Sequence, residues 1–161
     1  MINLTATHEK NNVVCAIDVT DFDQGVVDLA ATYAKYFKVR LELVHVTAAP
    51  NRGTENWPPD VGSPSRLIEE SKLLDSVVTQ VPTVVISKYH LSGLAANSIL
   101  DFIDEQEPCL LVMGTHGRKG LAKIFGSVAA KVTRRSACPV MVLRQTTVVP
   151  ATQSTPKLAE K

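Results

Sequence analysis

The chain has 161 residues, of which 45% are hydrophobic and 20% are charged, and its formal net charge at pH 7 is +1. These proportions are ordinary for a soluble globular protein, and the small net charge excludes a global field that would favour nucleic acid or an acidic membrane. No apolar run approaches the roughly 20 residues that span a bilayer, and the first residues lack the pattern of a signal peptide. We therefore expect one cytoplasmic domain, without a membrane span and without a nucleic-acid partner.

Strands and helices are predicted to alternate along the chain. Short continuous apolar runs are typical of strands that are buried on both faces, and apolar residues at intervals of three and four predict helices. The predicted strands are 13–17, 39–46, 83–90, 109–113 and 140–143, and the predicted helices run from the N-cap Asp23 to about Lys38 and over about 66–80, 94–105 and 127–135. This alternation predicts an α/β fold with a single open five-stranded parallel sheet and helices on both faces.

Three segments fall outside this pattern. Residues 1–10 and 145–161 show little periodicity, so we expect a flexible N-terminus and a flexible C-terminal tail around a domain at 11–144. The polar connection 47–65 is too long for an ordinary strand-to-helix loop, so it is either a lid over a site or a disordered segment. Trp57, the single tryptophan, lies in this connection and would either cover a ligand or pack elsewhere.

The glycine-rich segment 114–127 is the most informative stretch of the sequence. It follows the apolar run 109–113 and precedes a predicted helix. Glycines let backbone N–H groups approach an anion, and a helix start adds unpaired donors and partial positive charge. Arg118, Lys119 and Lys123 bring cations to the same loop. The segment predicts a phosphate-binding loop, the alternative being glycines that only shape a surface connection.

Candidate ligand contacts follow three of the predicted strands. In open parallel sheets, ligands bind at the carboxyl ends of strands, where the strand order reverses. Asp18 follows the first strand, Val46 ends the second and Gly114 follows the fourth. Asp18 taken alone could equally be a turn and capping carboxylate. Because the glycine loop would face the same crevice, we expect Asp18 to contact the ligand.

With this order of elements, the chain closely resembles the universal stress protein family over residues 11–144. The resemblance is carried by VCAIDVT at 14–20, LVHV at 43–46, VMGTHG at 112–117, GSV at 126–128 and CPVMV at 138–142. In the nucleotide-binding branch of the family, Gly-x2-Gly is followed after about nine residues by Gly-Ser or Gly-Thr. Here eight residues separate Gly117 from Gly126. The shorter loop either only tightens a turn or draws Gly126 and Ser127 away from a γ-phosphate.

The resemblance implies a Rossmann-like, adenine nucleotide alpha hydrolase-like fold with strand order 3-2-1-4-5, and a site for ATP with or without Mg²⁺. Asp18 and the backbone of Val46 would meet the adenine side, Ala16 and Gly114 would line the ribose, and the glycine motif would hold the phosphates. The implied nucleotide-binding residues are Ala16, Asp18, Val46, Met113, Gly114, Gly117, Arg118, Gly126, Ser127 and Val128. Valine at Gly117 or Gly126 is expected to abolish ATP binding while leaving the fold intact.

Catalytic and metal sites have little support in the sequence. No nucleophile and orienting acid accompany His116, and the loop lacks both a Walker A ending and an obvious acidic pair for magnesium. We therefore expect no catalytic residue and at most slow ATP hydrolysis. The histidines have no paired spacing, so no metal site is expected. His45, on a buried strand, is expected to be a hydrogen-bonded core histidine.

We expect an ATP-binding regulatory protein that works as a stress-response switch and has a protein partner that the sequence does not name. The alternatives are a weak ATPase or phosphotransferase that uses His116 or Asp18, and a nucleotide-free dimeric interaction module. The strand 140–143 is short, apolar and last in order, and an unpaired apolar edge invites another chain. In the family, this strand commonly pairs across a two-fold axis. We therefore expect a homodimer, which Val142→Lys should shift toward monomer.

Overall fold

The structure is a computed structural model that describes residues 12–49, 62–115 and 126–144. Within these ranges, strands and helices alternate in the order β1 (Asn12–Ala16), α1 (Gln24–Phe37), β2 (Arg40–Ala48), α2 (Pro64–Ser76), β3 (Ile86–Gly93), α3 (Ala95–Gln106), β4 (Leu110–Gly114), α4 (Ser127–Arg135) and β5 (Val140–Leu143). The two tails that are predicted to be flexible, the centre of the 47–65 connection with Trp57, and most of the glycine loop lie outside the described residues.

The five strands form one parallel sheet in the order β3-β2-β1-β4-β5. This result confirms the predicted architecture and strand order. Ala16, at the end of β1, lies between Val44 of β2 and Met113 of β4. From β1 the chain forms β2 and then β3 on one side of the sheet, and it later returns to form β4 and β5 on the other side of β1. The strand order therefore reverses beside Ala16. This reversal is the place where open parallel sheets bind ligands.

Each face of the sheet buries its own layer of helices. The first apolar cluster joins residues of α1 and α2 to Val13, Cys15, Leu41 and Leu43, and the second joins α3 and α4 to the alternate strand positions. Cys15 is fully buried, and burial raises the pKa of its thiol to about 12. It therefore behaves as a small, unreactive core residue. Among the described residues, no helix is long and apolar enough to cross a membrane.

Capping residues fix the ends of the helices. The Asp23 carboxylate accepts a hydrogen bond from the Gly25 N–H at 2.8 Å, which confirms Asp23 as the N-cap of α1. Lys38 takes a left-handed conformation (φ 58°) and ends the same helix. At the other end of the chain, α4 has Arg134 and Arg135 in its last turn. Their charges are favourable beside the carbonyl end of the helix dipole.

The predicted bounds of α2 and β3 were wrong by several residues. Helix α2 ends at Ser76 rather than near Gln80, because the segment that follows is hydrogen-bonded to Asp28 of α1. The Asp28 carboxylate accepts hydrogen bonds from Thr79 Oγ1 at 2.7 Å and from the Gln80 N–H at 3.0 Å. These hydrogen bonds lower the pKa of Asp28 although partial burial acts to raise it. Val78 is consequently 66% exposed rather than packed inward.

Candidate functional site

A cavity of about 550 Å³ opens where the strand order reverses, between the carboxyl ends of the central strands and the start of α4. This volume lies within the range of small-molecule sites. Eight of the ten residues implied by the resemblance line it, namely Ala16, Asp18, Val46, Met113, Gly114, Gly126, Ser127 and Val128. The other two, Gly117 and Arg118, lie outside the described residues. The described residues of the implied set therefore share one cavity.

The floor of the cavity is apolar. Ala16 and Met113 lie side by side in the register of β1 and β4, and both are buried. Ile99 of α3 and Val128 of α4 extend this surface on one side, and Phe22 extends it on the other. The sequence analysis missed Ile99 and Phe22 as lining residues, because only the packing of helices against the sheet brings them to the strand ends. Such a floor can accept a flat, largely apolar ring.

Asp18 combines the two roles that the sequence left open. Its Oδ1 accepts hydrogen bonds from the Thr20 N–H at 3.0 Å and from Thr20 Oγ1 at 2.7 Å, so it builds the turn after β1. The residue is nevertheless exposed and lines the cavity. Oδ2 has no hydrogen-bond partner among the described residues, and it can accept from an amine or a hydroxyl of a ligand.

The backbone of Val46 borders the cavity because β2 is longer than β1. The pairing of these strands ends at Ala16 and Val44, after which the Ile17 N–H donates to the Val44 carbonyl at 3.0 Å. Backbone polar groups of alternate residues in a strand point to the same side. Val46 therefore directs its N–H and C=O toward the side on which β1 has already ended. A planar base could pair with these groups.

The start of α4 forms the polar end of the cavity. Gly126 is the N-cap of this helix, and no side chain caps the first turn. Ser127 is exposed at the first helical position and lines the cavity. The N–H groups of a first turn have no partner within the helix, and the helix dipole makes this end positive. The arrangement can bind an anion.

Gly126 is required for packing, so the expectation that Gly126→Val would leave the fold intact was wrong. Its φ of −58° is open to any residue. However, a Cβ added here would lie 2.8 Å from the carbonyl oxygen of Thr115, to which Gly126 also donates a 3.0 Å hydrogen bond. Side-chain atoms almost never approach a carbonyl so closely. Valine at this position would therefore shift the start of α4 away from Thr115, independently of any ligand.

Three aspartates from the segment between β1 and α1 line the cavity. Asp21 and Asp23 join Asp18 as lining residues. Asp23 is occupied by its cap, since its Oδ1 accepts from Gly25. The sequence analysis did not foresee that Asp21 would share the cavity with Asp18. The described lining of the cavity thus combines the aspartates that precede and cap α1 with the uncapped start of α4.

A second polar cluster lies buried beside the cavity, on the face of the sheet covered by α2. His45 is 3% exposed and fully hydrogen-bonded, as expected of a core histidine. Its Nε2 lies 2.9 Å from Oε2 of Glu70, which is also 3% exposed. Thr47 Oγ1 donates to the same carboxylate oxygen and lies 2.6 Å from His90 Nε2. Arg66 Nε donates to the other oxygen, Oε1, at 2.7 Å.

Sequence reasoning missed Glu70 and the pairing of the two histidines. Glu70 lies three residues after Leu67 and four before Leu74, so helical spacing alone places it on the inward face of α2. His90 lies directly opposite His45 in the β2–β3 register, and their rings stack with centroids 5.4 Å apart. This pairing depends on the register of two strands, which the spacing of histidines in the sequence does not reveal.

The hydrogen bonds decide the charge of Glu70. Burial by itself would raise the pKa of its carboxyl group. Hydrogen bonds from Thr47, His45 and Arg66, together with the charge of His45, outweigh burial and lower the pKa from 4.5 to about 2. Burial lowers the pKa of His90, and the charge of His45 lowers it further, although Glu70 and Asp75 act in the opposite direction. Glu70 is therefore a buried carboxylate anion.

Comparison with known proteins agrees with this architecture. Universal stress protein A homolog 1 from Coxiella burnetii is 27% identical over 140 residues, which cover 84% of this chain and 96% of that protein. The solved structure of a universal stress protein from Archaeoglobus fulgidus has a TM-score of 0.64 at 24% identity and covers 81% of this chain and 96% of that one. The solved structure of a universal stress protein in complex with cAMP has a TM-score of 0.55 at 22% identity and covers 83% of this chain and 96% of that one.

The sequence profile of the universal stress protein family matches residues 10–144. This range contains every strand and helix that the structure describes. The match therefore extends over the whole sheet and both helical layers, and the chain belongs to the universal stress protein family.

Proposed function

We propose that this protein binds an adenine nucleotide in the cavity and that occupancy of the site switches a regulatory state. One observation carries the proposal: a single cavity joins an apolar floor and a free carboxylate oxygen to an uncapped helix start. These three surfaces suit a base, a sugar or amine, and a phosphate respectively. A related protein has been solved with cAMP, which supports an adenine ligand.

The direction that we propose for the ligand follows from the charges of the lining residues. We place the adenine ring on the apolar floor beside Asp18 and the backbone of Val46, and the phosphate at Gly126 and Ser127. The reverse direction would set phosphate against the aspartates, where like charges repel. We propose ATP, with or without Mg²⁺, as the ligand. Gly117 and Arg118 belong to this proposal on the basis of sequence alone.

The proposal is for binding with slow or no turnover. Oδ1 of Asp18 already accepts two hydrogen bonds from Thr20, so only its other oxygen is available to a ligand. The weak ATPase or phosphotransferase remains the alternative function, and phosphate release under saturating ATP and Mg²⁺ would distinguish it. We further propose that the protein acts in the cytoplasm and that a protein partner responds to the bound nucleotide.

Asp18→Asn is expected to weaken ATP and adenosine binding by roughly tenfold, the value of about one hydrogen bond. Asparagine keeps an Oδ1 that can accept from Thr20, so the turn after β1 is preserved. Its second group is an NH₂ donor, which cannot accept from an amine or a hydroxyl of the ligand. Isothermal titration calorimetry of both ligands measures the loss.

Asp101→Asn is the matched control, because Asp101 is an exposed aspartate of α3 that does not line the cavity. It should bind ATP as the wild type does. Equal affinity in Asp18→Asn and Asp101→Asn, with both variants folded by circular dichroism, would contradict the placement of the adenosine half of the ligand.

We also propose a homodimer through β5, which is an edge strand of the sheet. The carbonyls of Pro139 and Leu143 accept hydrogen bonds from the N–H groups of Leu111 in β4 and of Thr115 just after it. Val140 and Val142 therefore direct their backbone N–H and C=O groups outward. The side chain of Val142 packs against the core formed with α3 and α4. Val142→Lys would therefore disturb the core as well as the edge, and it is not a clean test.

Val142→Pro is expected to produce a monomer while keeping the sheet. Proline removes the outward N–H at this position, and the β4–β5 hydrogen bonds of the neighbouring residues are unaffected. Sedimentation velocity at about 10 µM should show a dimer for the wild type and a monomer for the variant. Val142→Ala, which retains the N–H, is the control and should remain dimeric. A monomeric wild type would refute the proposed interface.

A further inference from the structure

The buried cluster of His45, Glu70 and His90 brings three metal-ligating side chains to one point. Their nearest ligand atoms all lie within 4.8 Å of one another. Two imidazoles and one carboxylate are the ligand set of many zinc sites that keep a fourth position open. The hydroxyl of Thr47 contacts both Glu70 and His90 and lies at the centre of the cluster.

The groups around these side chains match those of built metal sites. A metal-ligating histidine commonly donates its second ring N–H to a backbone carbonyl, which fixes the ring and its tautomer. His45 Nδ1 lies 3.2 Å from the Ile17 carbonyl oxygen. Ligating carboxylates are in turn held by hydrogen bonds. Arg66 holds Glu70 through Oε1 at 2.7 Å, and Oε2 remains directed toward the two histidines.

We propose that His45, Glu70 and His90 form a site for a divalent transition-metal ion, with Zn²⁺ as the ion that this ligand set suits best. Magnesium and calcium prefer oxygen ligands, whereas imidazole suits zinc and its first-row neighbours. The site adjoins the nucleotide cavity, which His45 also lines, but its ligand atoms are not among the groups assigned to the nucleotide, and the proposal does not depend on the proposed nucleotide function. It differs from the sequence expectation of no metal, since strand register and helix packing assemble it.

Metal binding at this cluster must replace existing hydrogen bonds. His45 Nε2 lies 2.9 Å from Glu70 Oε2, and the Thr47 hydroxyl donates to that same oxygen and lies 2.6 Å from His90 Nε2. A metal ion bound to these ligand atoms would take the place of these contacts, while His45 Nδ1 would keep its contacts with the backbone of Ile17 and Val19. Tetrahedral zinc holds its ligand atoms about 3.3 Å apart, whereas those of this cluster lie within 4.8 Å of one another, so His90 must approach by up to about 1.5 Å. Because His90 is only half-buried, it has room for this shift.

The site would also stiffen the turn that carries Asp18. His45 Nδ1 lies next to the Ile17 carbonyl and 3.4 Å from the Val19 N–H, the backbone groups on either side of Asp18. Glu70 belongs to α2, and His90 to the edge strand β3. A bound ion would tie these three elements together. It should therefore stabilise the folded protein, as any ligand does that binds only the native state.

The test is titration of chelator-stripped full-length protein with Zn²⁺, and with Co²⁺ as a spectroscopic probe. We expect one ion per chain, visible Co²⁺ absorption of a four-coordinate site and a rise in Tm. His90→Gln should lower Zn²⁺ affinity by roughly a hundredfold or more, since loss of an outer-shell partner alone costs about 10–100-fold. Its amide can still donate to Thr47, which preserves the fold.

Glu70→Gln is the second ligand variant and should show the same loss of Zn²⁺ affinity. The controls are His8→Gln and His116→Gln, which change the other two histidines of the chain. Both control variants should bind Zn²⁺ as the wild type does. Three results would overturn the proposal: no uptake by the wild type at about 10 µM Zn²⁺, unchanged affinity in folded His90→Gln and Glu70→Gln, or an equal loss in the control variants. Each of these would leave the cluster as a hydrogen-bonded core network.

Discussion

Ser127→Asp is expected to weaken nucleotide binding by roughly ten- to hundredfold and to leave adenosine binding unchanged. Ser127 is exposed at the first position of α4 and lines the cavity. A carboxylate there repels a phosphate and competes for the first-turn N–H groups, and hydrogen bonds to charged groups contribute about 1.5–3 kcal/mol. The same carboxylate interacts favourably with the helix dipole, by about 0.3–1 kcal/mol. Calorimetry with ATP, AMP and adenosine, together with thermal unfolding, measures both effects.

Ser127→Asp should weaken phosphate binding but stabilise the helix, so the experiment distinguishes a loss of the phosphate site from a loss of folding. A variant that was merely misfolded would lose stability and would bind adenosine poorly as well. Ser127→Ala removes the hydroxyl without adding charge, so it should lower ATP affinity by less than Ser127→Asp does. ATP affinity that is the same in Ser127→Asp as in the wild type would show that phosphate does not bind at the start of α4.

Glu70→Gln is expected to cost roughly 3 kcal/mol of folding stability at neutral pH, measured on metal-free protein. The folded-state pKa of Glu70 is about 2, below its unfolded value of 4.5. Each pKa unit corresponds to about 1.4 kcal/mol. Because the unfolded chain binds the proton more readily, this stabilisation is fully present above pH 4.5 and is lost as the pH falls toward 2. The variant should therefore lose less stability than the wild type over that interval.

Urea unfolding at a series of pH values measures this difference, provided that both proteins unfold in a two-state manner. Glu69→Gln is the matched control, since Glu69 is the adjacent residue of α2 and is exposed. It should follow the pH profile of the wild type within about 0.5 kcal/mol. A wild type and a Glu70→Gln variant with parallel profiles between pH 4.5 and 2 would contradict the role given to the hydrogen bonds around Glu70.

The fold was largely predictable from the sequence because local signals agreed with one another. Continuous apolar runs marked buried strands, and apolar residues at helical intervals marked helices between them. A parallel sheet with helices on both faces needs this alternation. The errors fell between α2 and β3, where Asp28 of α1 holds Thr79 and Gln80 through contacts of more than 50 residues in sequence separation. A local pattern carries no information about such a partner.

The position of the cavity was predictable to a similar degree. Strand ends followed by Asp18, Val46 and Gly114 meet at one edge of the sheet, because every strand in a parallel sheet points the same way. The eight described residues of the implied set do share one cavity. The packing role of Gly126 was not predictable, since it depends on the distance between a helix start and the Thr115 carbonyl.

By itself, the sequence determined the order of elements, the parallel sheet and the edge where a ligand site belongs, because these follow from periodicity and chain direction. Only the tertiary structure decided which side chains meet across elements. His45 and His90 face each other through the β2–β3 register, and Glu70 reaches them because α2 packs on that face of the sheet. These three residues span 46 positions from first to last. Their meeting depends on strand register and helix packing, which no local pattern in the sequence encodes.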